Sequence, residues 1–183
     1  MSETYSYLKG YNSDLGRNDR TTNYVSSVTY AGTSFSSSAS YTYDKCGNIA
    51  TVIDGGKTTS YAYDGINRLI RENNQKLGTT KLYEYDGNGN IEKIREYSYT
   101  VSTDQSTFQN EVVTTYTYST GLHKDRLASV KKVRTATNEV LEEFAINSYD
   151  GIGNPCNYRG NMLEWSRGRN LAKYGEVLFA YNA

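Results

Sequence analysis

Little in this chain could carry catalysis, metal binding or electrostatic attraction. Among 183 residues there is one proline, Pro155, one histidine, His123, and two cysteines, Cys46 and Cys156. Two thiols so far apart make no disulfide framework, and they cannot build a four-ligand zinc site alone. Basic and acidic side chains number 20 each, so formal net charge is zero. No global field draws the chain to nucleic acid or to an acidic membrane. No run of 18 apolar residues exists, which excludes a membrane-spanning helix. The opening MSETYSYLKG has neither a basic region nor an apolar one, so it is not a signal peptide.

What the chain has is tyrosine. Nineteen Tyr stand against 4 Phe and 1 Trp, in a sequence of mean hydropathy −0.72. Tyrosine, threonine and valine suit a pleated, half-buried surface. Such aromatic content argues against disorder and for sheets with much exposed surface.

The tyrosines recur in a pattern. YTYDKCGNI begins at Tyr41, YAYDGINRL at Tyr61 and YEYDGNGNI at Tyr83. A fourth unit, YTYSTGLHKDRL, begins at Tyr116, and NSYDGIGNP keeps Tyr149, Asp150, Gly153 and Asn154. A degenerate unit opens the chain at YSYLKG. Tyr41 and Tyr43 are two apart, so on a strand they share a face. The same holds for Tyr61 with Tyr63 and Tyr83 with Tyr85. Asp44, Asp64 and Asp86 end those strands, because a short carboxylate bonds backbone N–H groups two residues on. Gly47 and Asn48, like Gly89 and Asn90, tolerate the positive φ of a tight reversal. The next run, IATVID, returns as a strand, and Asp54-Gly55-Gly56 turns again.

Each unit is therefore strand, turn, strand. The fold class expected is all-β, an antiparallel meander of about ten strands forming a curved sheet. The apolar positions of IATVI and IEKIR do not keep a period of two. Either the first apolar residue belongs to the turn, or a bulge shifts the phase. NEVLEEFAINSY (138–149) suits a short helix or a strand, and the repeat context favours the strand. Three regions are expected: 1–40 as a degenerate repeat with connecting strands, 41–115 as three repeats with a long hairpin excursion, and 116–183 as a degenerate repeat followed by the YDGIGNP region.

A catalytic site of the Ser-His-Asp or Cys-His kind would have to use His123, and no pattern brings a partner to it. An exposed loop histidine is the expectation. The recurring Asp could form a glycosidase pair. Turn capping explains why they recur in register, whereas a pair needs only two. No cofactor or metal set stands out. The tyrosine rows suit sheet packing, since the ring buries area while the hydroxyl keeps a polar partner. A ligand platform, with Trp165 and Tyr158 stacking on sugar rings, is the alternative.

These units resemble the tyrosine-aspartate repeat, also called the YD or Rhs repeat. The long run YDGIGNPCNYRGNMLEWSRGRNLAKY is similar to a more specific C-terminal version of it. The resemblance covers 41–183 well and 1–40 loosely. It implies a large secreted or surface protein, of the kind found in bacterial polymorphic toxins, wall-associated proteins, insecticidal toxin complexes and teneurins. Their repeats coil as a β-spiral into a hollow shell, which in the toxins holds a C-terminal toxic segment. The repeats here are too few to close a shell, and neither a self-cleavage motif nor a toxin segment is present. The chain is thus expected to be a non-enzymatic piece of shell wall from a secreted or cell-surface parent. Its expected partners are the rest of its own chain and an enclosed C-terminal polypeptide, with glycans as the alternative. As an isolated strip with open edges, it is expected to dimerise or swap strands.

Overall fold

The computed structural model describes residues 2–12 and 17–181. The last two residues of FAYNA lie outside them. The described chain is almost wholly antiparallel β, in two sheets whose strand order follows the sequence. The larger contains β1 (Ser2–Asn12), β2 (Arg17–Ala31), β3 (Ser36–Tyr43), β4 (Ile49–Asp54), β5 (Lys57–Tyr63), β6 (Leu69–Asn74), β7 (Thr79–Tyr85), β8 (Ile91–Ser98), β9 (Val112–Tyr118), β10 (Leu127–Arg134) and β11 (Glu139–Ala145). The smaller contains β12 (Asn157–Tyr158), β13 (Asn161–Ser166), β14 (Asn170–Tyr174) and β15 (Val177–Leu178).

The expected all-β antiparallel meander is present as eleven strands in sequence order, and the described residues hold four further strands in a second sheet, beyond the ten or so expected. The break falls at the fifth motif. There Tyr149 and Pro155 make a single isolated bridge instead of a ladder, and pairing starts again at β12. Pro155 has no N–H to extend a ladder. The 138–149 segment contains strand β11, paired with β10 from Arg134↔Glu139 to Ser129↔Ala145.

The chain divides into two compact units, residues 1–82 with 98–107 and residues 83–97 with 108–183. In the first, β4 and β5 are joined by Gly55 and Gly56, whose φ values of 57° and 72° suit the two-residue hairpin turn. Residues 98–107 lie back along the sheet as a strap. Thr80, with no exposed surface, donates to the Thr100 carbonyl at 3.0 Å and accepts from the Thr100 amide at 2.9 Å. Arg71 donates through one nitrogen to the Thr100 and Ser102 carbonyls.

In the second unit, Arg95 reaches Glu84 and Glu111, and the Tyr97 hydroxyl donates to Glu111 at 2.7 Å. Tyr97 meets Phe108 edge-on at 4.9 Å. The smaller sheet packs by Tyr158 against Phe144 of β11, again edge-on, with Arg159 beside both rings and paired to Glu142.

The core is thin. Among described residues, the buried apolar side chains are Val28, Tyr97, Val112 and Val130. The half-buried tyrosine rows carry the packing instead.

Candidate functional site

The repeated turn is the best-defined site in the molecule. Asp44 Oδ1 accepts the amides of Cys46 at 2.8 Å and Asn48 at 2.9 Å, and Oδ2 accepts Asn48 Nδ2 at 3.0 Å. Asp86 does the same with Asn88 and Asn90, and Asp150 with Ile152 and Asn154. Asp64 accepts the amides of Ile66 and Arg68, and the Arg68 guanidinium replaces the asparagine amide. Gly47, Gly89 and Gly153 hold φ near 90°, and Asn67 takes that place at 65° in the second unit.

These bonds hold all four carboxyls below the usual carboxylate pKa. The chief cause is the side-chain amide of Asn48 for Asp44 and that of Asn90 for Asp86. For Asp64 and Asp150 it is the backbone amide of Arg68 or Asn154. Hydrogen bonds to the ionised form favour it. The carboxylates are thus spent on their own turns, as capping would have them.

The second tyrosine of the motif reaches out of its own hairpin. Tyr63 donates its hydroxyl to the Ile49 carbonyl at 2.9 Å, and Ile49 is the apolar residue closing the preceding turn. Tyr43 donates likewise to Val25 at 2.8 Å, Tyr118 to Ile91 at 2.9 Å, and Tyr149 to Leu127 at 2.7 Å. Tyr181 continues the series onto Leu171 at 2.9 Å. Burial raises the pKa of the Tyr63, Tyr118 and Tyr149 hydroxyls, which favours the protonated donor.

A bulge makes the reach consistent. Tyr43 pairs with Ile49, Tyr63 with Leu69 and Tyr118 with Leu127, and each ladder shifts register at that pair. One extra residue follows the apolar one, which explains why the sequence lost its period of two.

A second link joins adjacent turns. Asn48 Nδ2 donates to Asn67 Oδ1, Asn90 Nδ2 to Asp125 Oδ1, and Asn154 Nδ2 to the Gly168 carbonyl. Asn154 is buried. Tyrosine hydroxyl and turn amide together fasten each unit to a neighbour.

The remaining sequence candidates fall as follows. Tyr41, Tyr61, Tyr83 and Tyr85 are half-buried on β3, β5 and β7. Trp165 is half-buried, and its indole N–H donates to the Pro155 carbonyl at 2.7 Å. Tyr158 packs on Phe144. Cys46 and Cys156 are free thiols. His123 sits exposed in the fourth turn. Among described residues no three His, Cys, Asp or Glu side chains gather as a metal site. The acceptor carbonyls of Val25, Ile49, Ile91, Leu127 and Leu171 escaped the sequence, since a main-chain acceptor leaves no residue signature.

No family model matches the chain, and no curated protein matches it. Solved structures do. A crystal structure of TcdB2-TccC3-Cdc42 aligns with TM-score 0.51 and 19% identity over 80% of this chain and 8% of that one. A crystal structure of TcdB2-TccC3 aligns with TM-score 0.51 and 19% identity over 82% and 8%. The fold is shared with part of these chains. A Tc holotoxin pore from Photorhabdus luminescens aligns with TM-score 0.38 and 16% identity over 81% and 10%. The present chain spans less than a tenth of the length of the TcdB2-TccC3 chains.

Proposed function

We propose that this chain is a stretch of wall from a much longer YD-repeat protein of the toxin-complex kind. It has no catalytic role of its own, and the wall it contributes to encloses a C-terminal polypeptide. The observation that carries the reading is the tyrosine bond to a preceding main-chain carbonyl, made at Tyr43, Tyr63, Tyr118, Tyr149 and Tyr181. That bond fastens unit to unit where the core is thin, which is what a one-layer enclosure needs. The thin interior supports it, as does a fold shared with a small part of the TcdB2-TccC3 chains. Secretion of the parent belongs to the same proposal.

The test is an immunoblot of the native source, raised against this chain, on cell and culture-fluid fractions with and without added protease. A band far above 20.6 kDa outside the cell or at its surface is expected, together with a C-terminal segment protected from protease. A 20.6 kDa species confined within the cell overturns the reading.

A further inference from the structure

The fourth turn breaks the rule of the others. In four turns the motif aspartate's amide donates to the carbonyl four residues on: Asn48, Arg68, Asn90 or Asn154. In the fourth, Ser119 stands in place of aspartate, and its amide donates to Arg126, seven residues on. Three residues have been added. Among the described residues, Ser119 Oγ accepts the Gly121 amide alone, so the single hydroxyl does not bracket the longer loop as the carboxylates bracket theirs. Asn90 Nδ2 donates to Asp125 Oδ1 and ties the loop to the preceding turn. Insertions on a rigid scaffold are where binding residues are commonly placed.

The added residues open a cavity of about 430 Å³. Its wall includes Tyr118, Ile146 and Tyr149, and its rim includes Leu122, His123 and Arg126. The volume is within the range of ligand pockets, and polar and apolar groups share its lining about equally. The rim has two further features. Leu122 is fully exposed, which leaves apolar surface outside the cavity as well as within it. Arg126 stands 5.0 Å from the centre of the Tyr149 ring, and among the described residues no carboxylate pairs with it or with Lys124. The one acid of the loop, Asp125, is turned to Asn90.

We propose that this fourth-turn cavity is a docking site for an extended acidic peptide, which seats a large apolar side chain in the cavity and lays a carboxylate against Arg126. Charge complementarity selects the acid, because among the described residues no carboxylate pairs with Arg126, the cation of the rim. Apolar surface at Leu122 beyond the cavity mouth selects an extended chain over a small molecule contained inside. The inference stands apart from the wall reading, since a binding turn needs no enclosure.

The experiment is fluorescence polarisation with a fluorescein-tagged octapeptide alternating leucine and glutamate, titrated with this chain. A leucine–lysine octapeptide and myristate are the comparison probes. Saturable binding of the glutamate peptide is expected, with a Kd below about 1 mM. Arg126→Gln and Leu122→Asp are each expected to weaken it at least about fivefold. Leu122 is fully exposed, so Leu122→Asp keeps the test valid should Arg126→Gln disturb the fold. Equal binding of the lysine peptide, no binding of the glutamate peptide, no effect of Leu122→Asp, or binding of myristate alone would each overturn the proposal.

Discussion

The two bonds of the repeat differ in what they tolerate. A tyrosine hydroxyl that donates to a carbonyl can be deleted with little change of shape. Tyr63→Phe should leave the Ile49 carbonyl without this donor and cost about 0.5–1.5 kcal/mol, read by urea unfolding. No loss of stability would mean that the bond is merely incidental to ring packing. The aspartates are tested by pH. Asp86 titrates lower folded than its ordinary 3.8, because Asn90 and the turn amides hold the charged form. The unfolded chain then binds more protons, so this contribution is full above pH 3.8 and is lost as pH falls through the folded value. Asp86→Asn should therefore lower Tm at pH 7, with the gap to the parent closing as pH falls through the folded value, which lies below 3.8. A gap that persists in acid would point to lost geometry rather than lost charge.

At the scale of turns and strands, backbone conformation decides. A Cβ at Gly56 would meet nothing within 4 Å, so only its φ of 72° limits substitution. Gly56→Val should cost about 1–2 kcal/mol, while Gly56→Asn should cost less, measured by thermal unfolding. Thr80→Ala should leave the Thr100 amide and carbonyl without their partner, and the Thr100 amide should exchange hydrogen faster by NMR. The sequence foretold the hairpins but not the strap. Tyr41 and Tyr43 announce a strand face, and Asp44 with Gly47 announces a turn, because those partners are local. Thr80 and Thr100 are twenty residues apart in sequence and neither is unusual. The tyrosine acceptors were hidden for the same reason, since Tyr118 and Ile91 meet 27 residues apart through a main-chain oxygen. The bulge lay between: the lost period at IATVI was visible, while its cause was settled by the Tyr43–Ile49 register. The second sheet was not read from the sequence, because the YDGIGNP stretch keeps the Asp and Gly-Asn of motifs that do continue a ladder and departs from them at Pro155.

For the molecule as a whole, the larger sheet ends at β1 and β11, and each end strand has one neighbour in that sheet. An unpaired edge templates further strands. The isolated chain should therefore associate as its concentration rises in sedimentation velocity, and a strict monomer across that range would show that its edges are protected. Internally, the acceptors of the tyrosine row are main-chain oxygens, and every amino acid supplies one. A neighbour's identity therefore hardly matters to the bond. Copies can drift apart, be duplicated in tandem or be exchanged between relatives, and an incoming copy still finds its acceptor in place. A lineage could lengthen such a protein by recombination, with each side chain of the row retaining a socket that mutation cannot remove.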